Sequence, residues 1–169
     1  MQKAFFKKVD DYLAALEAAT DEIAGYVGPS EGELHLKLSN LTSADKPLLV
    51  FFGYQGKLEG GPQRTRGPRT VSFAILYVVP DPNDYATQRQ RINDAESIGL
   101  EIIARINYDS TPEGAVDWLY NTFVKDSVQF EKVEYKAPMG LFGQEFFFDL
   151  DVKNPLKPTE GFWKDKSFC

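Results

Sequence analysis

Residues 3–24 carry Phe5, Val9, Tyr12, Leu13, Leu16 and Ile23 at helical spacing, with Lys, Asp and Glu between them. That stripe predicts an amphipathic helix, ended at Gly25 or at Gly28-Pro29. The pattern then turns to alternation. In ELHLKLSNL (33–41), Leu34, Leu36 and Leu38 share one face and Glu33, His35 and Lys37 the other, as in a strand. PLLVFFGY (47–54) and TVSFAILYVVP (70–80) are nearly continuous apolar runs, expected as buried strands that pair as a hairpin. A second helix is expected over 84–107, with Asp81-Pro82 at its start. Its stripe is Ile92, Ala95, Gly99, Ile102, Ile103 and Ile106, and Gly99 within it points to close backbone packing. Thr111-Pro112-Glu113 reads as the start of a third, short helix, with Val116, Leu119, Tyr120 and Phe123 on its apolar side.

The closing segments alternate again. SVQFEKVEYK (127–136) does so with a slip between Phe130 and Val133 that fits a bulge. GQEFFFDLDV (143–152) places Phe146, Phe148, Leu150 and Val152 on one face and Glu145, Phe147, Asp149 and Asp151 on the other. Pro155 and Pro158 then break regular structure. The expectation is an α+β fold: an antiparallel sheet of about five strands with an N-terminal and a central helix packed on it. Residues 1–152 form one domain and 153–169 an extended C-terminal tail.

Charge sharpens this picture. The chain has a net charge of −6 over 169 residues. The segment GYQGKLEGGPQRTRGPRT (53–70) holds Lys57, Arg64, Arg66 and Arg69 against Glu59, a local +3, so the remainder carries −9. An acidic surface repels nucleic acid, which disfavours a nonspecific nucleic-acid binder. The glycines and arginines of 54–69 instead suit a contact element whose arginines meet carboxylates on an acidic neighbour. They do not form a Walker loop, because Phe51 stands where its first Gly is needed and Leu58 where Ser or Thr is needed.

Catalytic chemistry finds little to stand on. His35 is the only histidine and Cys169 the only cysteine, so neither a zinc site nor a Ser-His-Asp triad is expected. The reading is of a non-enzyme with no cofactor and no metal. One cysteine fits a reducing compartment. The N-terminus lacks the apolar run of a signal peptide, and no stretch approaches the ~20 apolar residues of a membrane span. Asp81 with Glu134-Tyr135-Lys136, or with Asp151-Val152-Lys153, has the residue types of a divergent metal-dependent nuclease, one alternative. Glu145, Asp149 and Asp151 form an acidic face. Phe162, Trp163 and Phe168 lie in the tail, where leaving them in water is costly, so they are expected to dock.

The order of elements over 3–152, ending in VEYKAPMGLFGQEFFFDLDV, resembles the tail-terminator and tail-completion proteins of tailed bacteriophages and phage-like particles. The resemblance implies a virion subunit of the tail or neck, assembled in the bacterial cytoplasm. Such proteins form a homo-oligomeric ring, usually a hexamer, that caps the tail tube and joins it to the head connector. Contacts with copies of itself and with tube and connector proteins would then fall to Lys57, Arg64, Arg66, Arg69, Phe147, Phe162, Trp163 and Phe168. Six chains would carry −36, six times −6, and acidic walls let DNA pass as cargo without sticking. A cytoplasmic, monomeric ligand-binding module with a Phe-lined pocket is the other alternative.

Overall fold

The computed structural model describes residues 5–39, 45–60, 66–81, 83–114, 116–135 and 140–153. The elements are α1 (Phe5–Ala18), β1 (Gly25–Val27), α2 (Glu31–Ser39), β2 (Leu48–Gly56), β3 (Arg66–Val78), α3 (Tyr85–Asp109), β4 (Phe123–Tyr135) and β5 (Leu141–Lys153). The strands form one sheet in the order β1-β2-β3-β5-β4. All neighbours are antiparallel except β1, which runs parallel to β2 through Gly25↔Leu48 to Val27↔Val50. The fold is α+β with the N-terminal and central helices on the sheet, as the hydrophobic pattern predicts.

The main core lies between the sheet and the two long helices. Val9, Leu13 and Leu16 of α1 and Ala95, Ile102, Ile103 and Ile106 of α3 meet Leu49, Phe51, Val71, Phe73, Ile75, Phe146, Phe148 and Leu150. Gly99 is required by contact: a Cβ there would stand 2.0 Å from the Phe146 ring. Asp84 caps α3 by accepting from the Thr87 N–H at 3.0 Å, so the helix begins later than Asp81.

Four expectations are corrected. The alternating segment 33–41 is not a strand: Glu31–Ser39 is helix α2. Glu31 and Glu33 sit in its first turn, where the helix dipole favours acids, and Ser30 with Glu33 has the spacing of a capping box. Leu34 and Leu38, four apart, pack on Val27, Leu48, Val50, Ala74, Leu76 and Leu141 on the other side of the sheet. Leu36 is left 62% exposed. The short helix after Thr111 is a series of turns instead. The Thr111 hydroxyl donates back to Tyr108 O at 2.7 Å rather than capping a new helix. Leu119 is still buried.

The β4 irregularity lies between Val124 and Gln129, not between Phe130 and Val133. Ser127 fills the gap, donating to Val124 O at 2.6 Å and accepting from Asp149 N at 2.7 Å. Finally, the Gly/Arg loop is shorter than 54–69. The β2–β3 ladder runs to Gly56↔Arg69, and Glu59 and Arg66 exchange backbone bonds at 2.8 Å. Part of the basic segment is therefore strand, and Arg64 lies outside the described residues.

Candidate functional site

The described cations of the hairpin are occupied within their own chain. Lys57 pairs with Glu59 at 2.5 Å, and that bond holds its ammonium above the usual range. Arg66 pairs with Asp151 at 2.9 Å, because the β3–β5 register sets Pro68 opposite Asp151 and Arg66 opposite Lys153. Arg69 donates to the carbonyls of Gly67 and Pro68 at 3.0 and 3.2 Å and lies over the Tyr54 ring at 5.7 Å. Lys57 and Arg66 keep most of their side chains in solvent, at 73% and 64% exposure.

The acidic face is real and half open. On β5, Glu145, Phe147, Asp149 and Asp151 stand opposite Ala74, Ser72, Thr70 and Pro68 of β3. The Ser72 hydroxyl donates to Glu145, and that of Thr70 to Asp149 at 2.5 Å. Phe147 is half-buried between Ser72 and Gln129. Glu131 of β4 lies directly opposite Glu145, a like-charge pair that costs stability. Tyr135 shares this side, and burial, then the Glu145 charge, pushes its phenol up. Leu34 and Leu38 of α2 pack at the other end of the face, and no described helix packs on Glu145, Phe147 and Asp149. No described strand pairs with the outer edge of β4 either.

A third feature, which the sequence reading misses, is a cleft between α1 and α3. Leu16, Ile23, Ile98 and Ile102 form its floor, and Thr20, Glu22, Glu101 and Arg105 its rim, around about 320 Å³. Arg105 is anchored, since its Nε–H donates to both oxygens of Asp109, at 2.9 and 2.8 Å. The Tyr12 hydroxyl donates to the same carboxylate at 2.8 Å, and Asp109 is only 2% exposed. Burial, then that bond, pushes the Tyr12 phenol up; Tyr26, donating to Asp10, is raised in the same way. The i,i+4 spacing of Arg105 and Asp109 at the end of an apolar stripe is the one signal in the sequence.

The remaining candidates are dispersed. His35 is exposed on α2 rather than on a strand. Asp81 follows the end of β3 and accepts from Asn83 N–H, whereas Asp151 sits opposite Pro68 near the start of β3. That separation rules out the Asp81–Asp151 nuclease pairing. Glu134 is tied to Lys132 at 2.5 Å, and Lys136 lies outside the described residues. Among the described residues no group of three or more His, Cys, Asp or Glu could hold a metal ion. Phe51, Phe73 and Phe146 are fully buried in the core. Phe162, Trp163 and Phe168 lie outside the described residues. Among the described residues no helix is long and apolar enough to cross a membrane. Comparison with protein-family models and with curated proteins gives no match for this chain.

Proposed function

We propose that this chain is a structural subunit that assembles with copies of itself into a ring. The ring would sit at the end of a phage or phage-like tail tube, where the tube joins the head connector. The observation that carries the reading is β4: a 13-residue edge strand, bulged between Val124 and Gln129, whose outer edge has no described partner, beside the half of the sheet face that no described helix covers. The main core closes without that surface. An open edge of such length is a template for another chain, and proteins that stay monomeric usually cover or shorten it. The element order adds support, since an N-terminal helix, a long hairpin, a central helix on the sheet and a closing hairpin resemble the order of elements in tail terminators, with the parallel β1 and helix α2 as additions. The acidity suits a channel that DNA crosses without adhering.

The test is electron microscopy of the purified full chain. Rings with a central opening, six-fold in projection, are the expected result. Compact particles of one chain at every concentration would overturn the reading.

A further inference from the structure

We propose that the outer edge of β4 in one copy of this chain takes the free edge of the β2–β3 hairpin, residues 54–58, of the next copy as an added antiparallel strand. The inference rests on the ring reading and names the contact that closes the ring. Three observations meet here.

The first is backbone direction. On β5, the Asp151 N–H donates to Thr122 O on the β4 side, while Gly140 O accepts from the Val79 N–H on the β3 side. Odd residues of β5 therefore aim their backbone groups at β4, and even ones at β3. Gln129, Glu131, Val133 and Tyr135 stand opposite odd residues of β5, so Phe130, Lys132 and Glu134 aim theirs outwards. At the far side of the sheet, β1 pairs with Leu48, Leu49 and Val50 of β2, and no described strand continues past them. The Lys57 N–H donates to Pro68 O, and Glu59 exchanges bonds with Arg66, so both face β3. Tyr54, Gly56 and Leu58 then aim outwards. Each edge offers three outward residues at alternate positions, which suits strand addition.

The second is side-chain chemistry. With Gly56 opposite Lys132, the antiparallel register sets Lys57 opposite Glu131 and Leu58 opposite Phe130. Glu131 is exposed beside the like-charged Glu145, and Lys57 is 73% exposed, so the added strand brings a cation to a carboxylate surplus. Phe130 stacks on Phe146 on the helix side of the sheet. Leu58 shares that side with Tyr54, which meets Phe5 of α1. Phe130 and Leu58 are 45% and 52% exposed, and the contact covers both. Sliding the register by two residues puts Gln55 or Glu59 opposite Glu131 and loses the pair.

The third is topology, which selects the occupant. Within one chain β3 and β5 separate β2 from β4. Three strand spacings, about 14 Å, keep the hairpin edge from its own β4. A second β4 is a poorer occupant: it sets Lys125 opposite Glu131 only with Asp126 opposite Phe130. A contact between two different edges is heterologous, the kind that closes into rings rather than stopping at a dimer.

The test uses full-length Glu131→Lys, Lys57→Glu and Lys132→Pro, with light scattering as the readout of assembly. Glu131 and Lys57 are exposed, and proline is tolerated where an edge N–H faces outwards, so all three should keep the wild-type circular dichroism. Each charge variant alone should associate about 10-fold more weakly, because like charges then meet across the contact. An equimolar mixture of the two should recover wild-type assembly, since each β4 then meets a hairpin of opposite sign. Lys132→Pro should block assembly, because it removes an outward donor. If the charge variants assemble like the wild type, or their mixture recovers nothing, the inference fails; a block by Lys132→Pro in that case means that β4 takes a different strand, and the ring reading stands. If Lys132→Pro assembles like the wild type, the β4 edge is not the contact and the inference fails. A wild type that never assembles would refute the ring reading instead.

Discussion

Phe146 and Phe147 are neighbours on β5 and chemically identical, yet they live in different surroundings. Phe146 is fully buried, stacked at 5.2 Å on Phe73 and 5.5 Å on Phe130, with Gly99 of α3 against its ring. Phe147 is half-buried between Ser72 and Gln129, in a row with Glu145 and Asp149. The strand's alternation assigns the two residues to opposite faces. What differs is the cover: α1 and α3 close the first face, while α2 closes only one end of the second. The closed face holds the fold together, and the second is only partly covered among the described residues.

The largest expected effect lies on the closed face. Phe146→Ala should cost about 3–5 kcal/mol by denaturant unfolding, as deletion of a buried ring does. Phe147→Ala should cost about 1 kcal/mol, the middle of the range for point changes. Equal losses would break the comparison. Gly99→Ala comes next, at about 1–3 kcal/mol, because its methyl would collide with the Phe146 ring. If Gly99→Ala is neutral in thermal melting, the helix does not press on β5 as described.

Alkaline pH probes the polar groups beneath the same helices. The phenols of Tyr12 and Tyr26 are held above their usual value, first by burial, then by donating to Asp109 and Asp10. The fold therefore binds the protonated phenol. That part of the stability is complete below about pH 10, the unfolded value, and is lost as the pH rises beyond it. Wild type should lose melting temperature between about pH 9 and about pH 11.5, and Tyr12→Phe/Tyr26→Phe should lose less over the same range. Parallel curves for the two would contradict this.

The smallest effect belongs to the open face. Glu131→Lys replaces a like-charge pair across β4 and β5 with an opposite one and should stabilise the chain by about 0.2–1 kcal/mol. A destabilisation would mean that the two carboxylates do not face each other.

Much of the closed face was legible in the sequence because its signals are long. The stripes of α1 and α3 and the alternation of β5 each repeat over many residues, and Leu13, Leu16, Ile102 and Ile106 are buried accordingly. Short elements were not legible. β1 has three residues, too few for any period. In α2, Leu34, Leu36 and Leu38 fit a strand as well as a helix, and Ser30-x-x-Glu33 is the signal that separates them. The use of the hairpin's charges also escapes sequence reading, since Arg66 meets Asp151 only through the sheet register, 85 positions away. The cleft is hidden for a related reason: its aliphatic residues read as core, and only packing shows where two helices leave a gap.

Native mass spectrometry of the purified full chain tests the central claim most directly, because it counts subunits. A discrete species near 115 kDa, about six times the 19.1 kDa chain, is the result expected of a ring-forming subunit. A 19.1 kDa monomer alone, at every concentration and ionic strength tried, would contradict it.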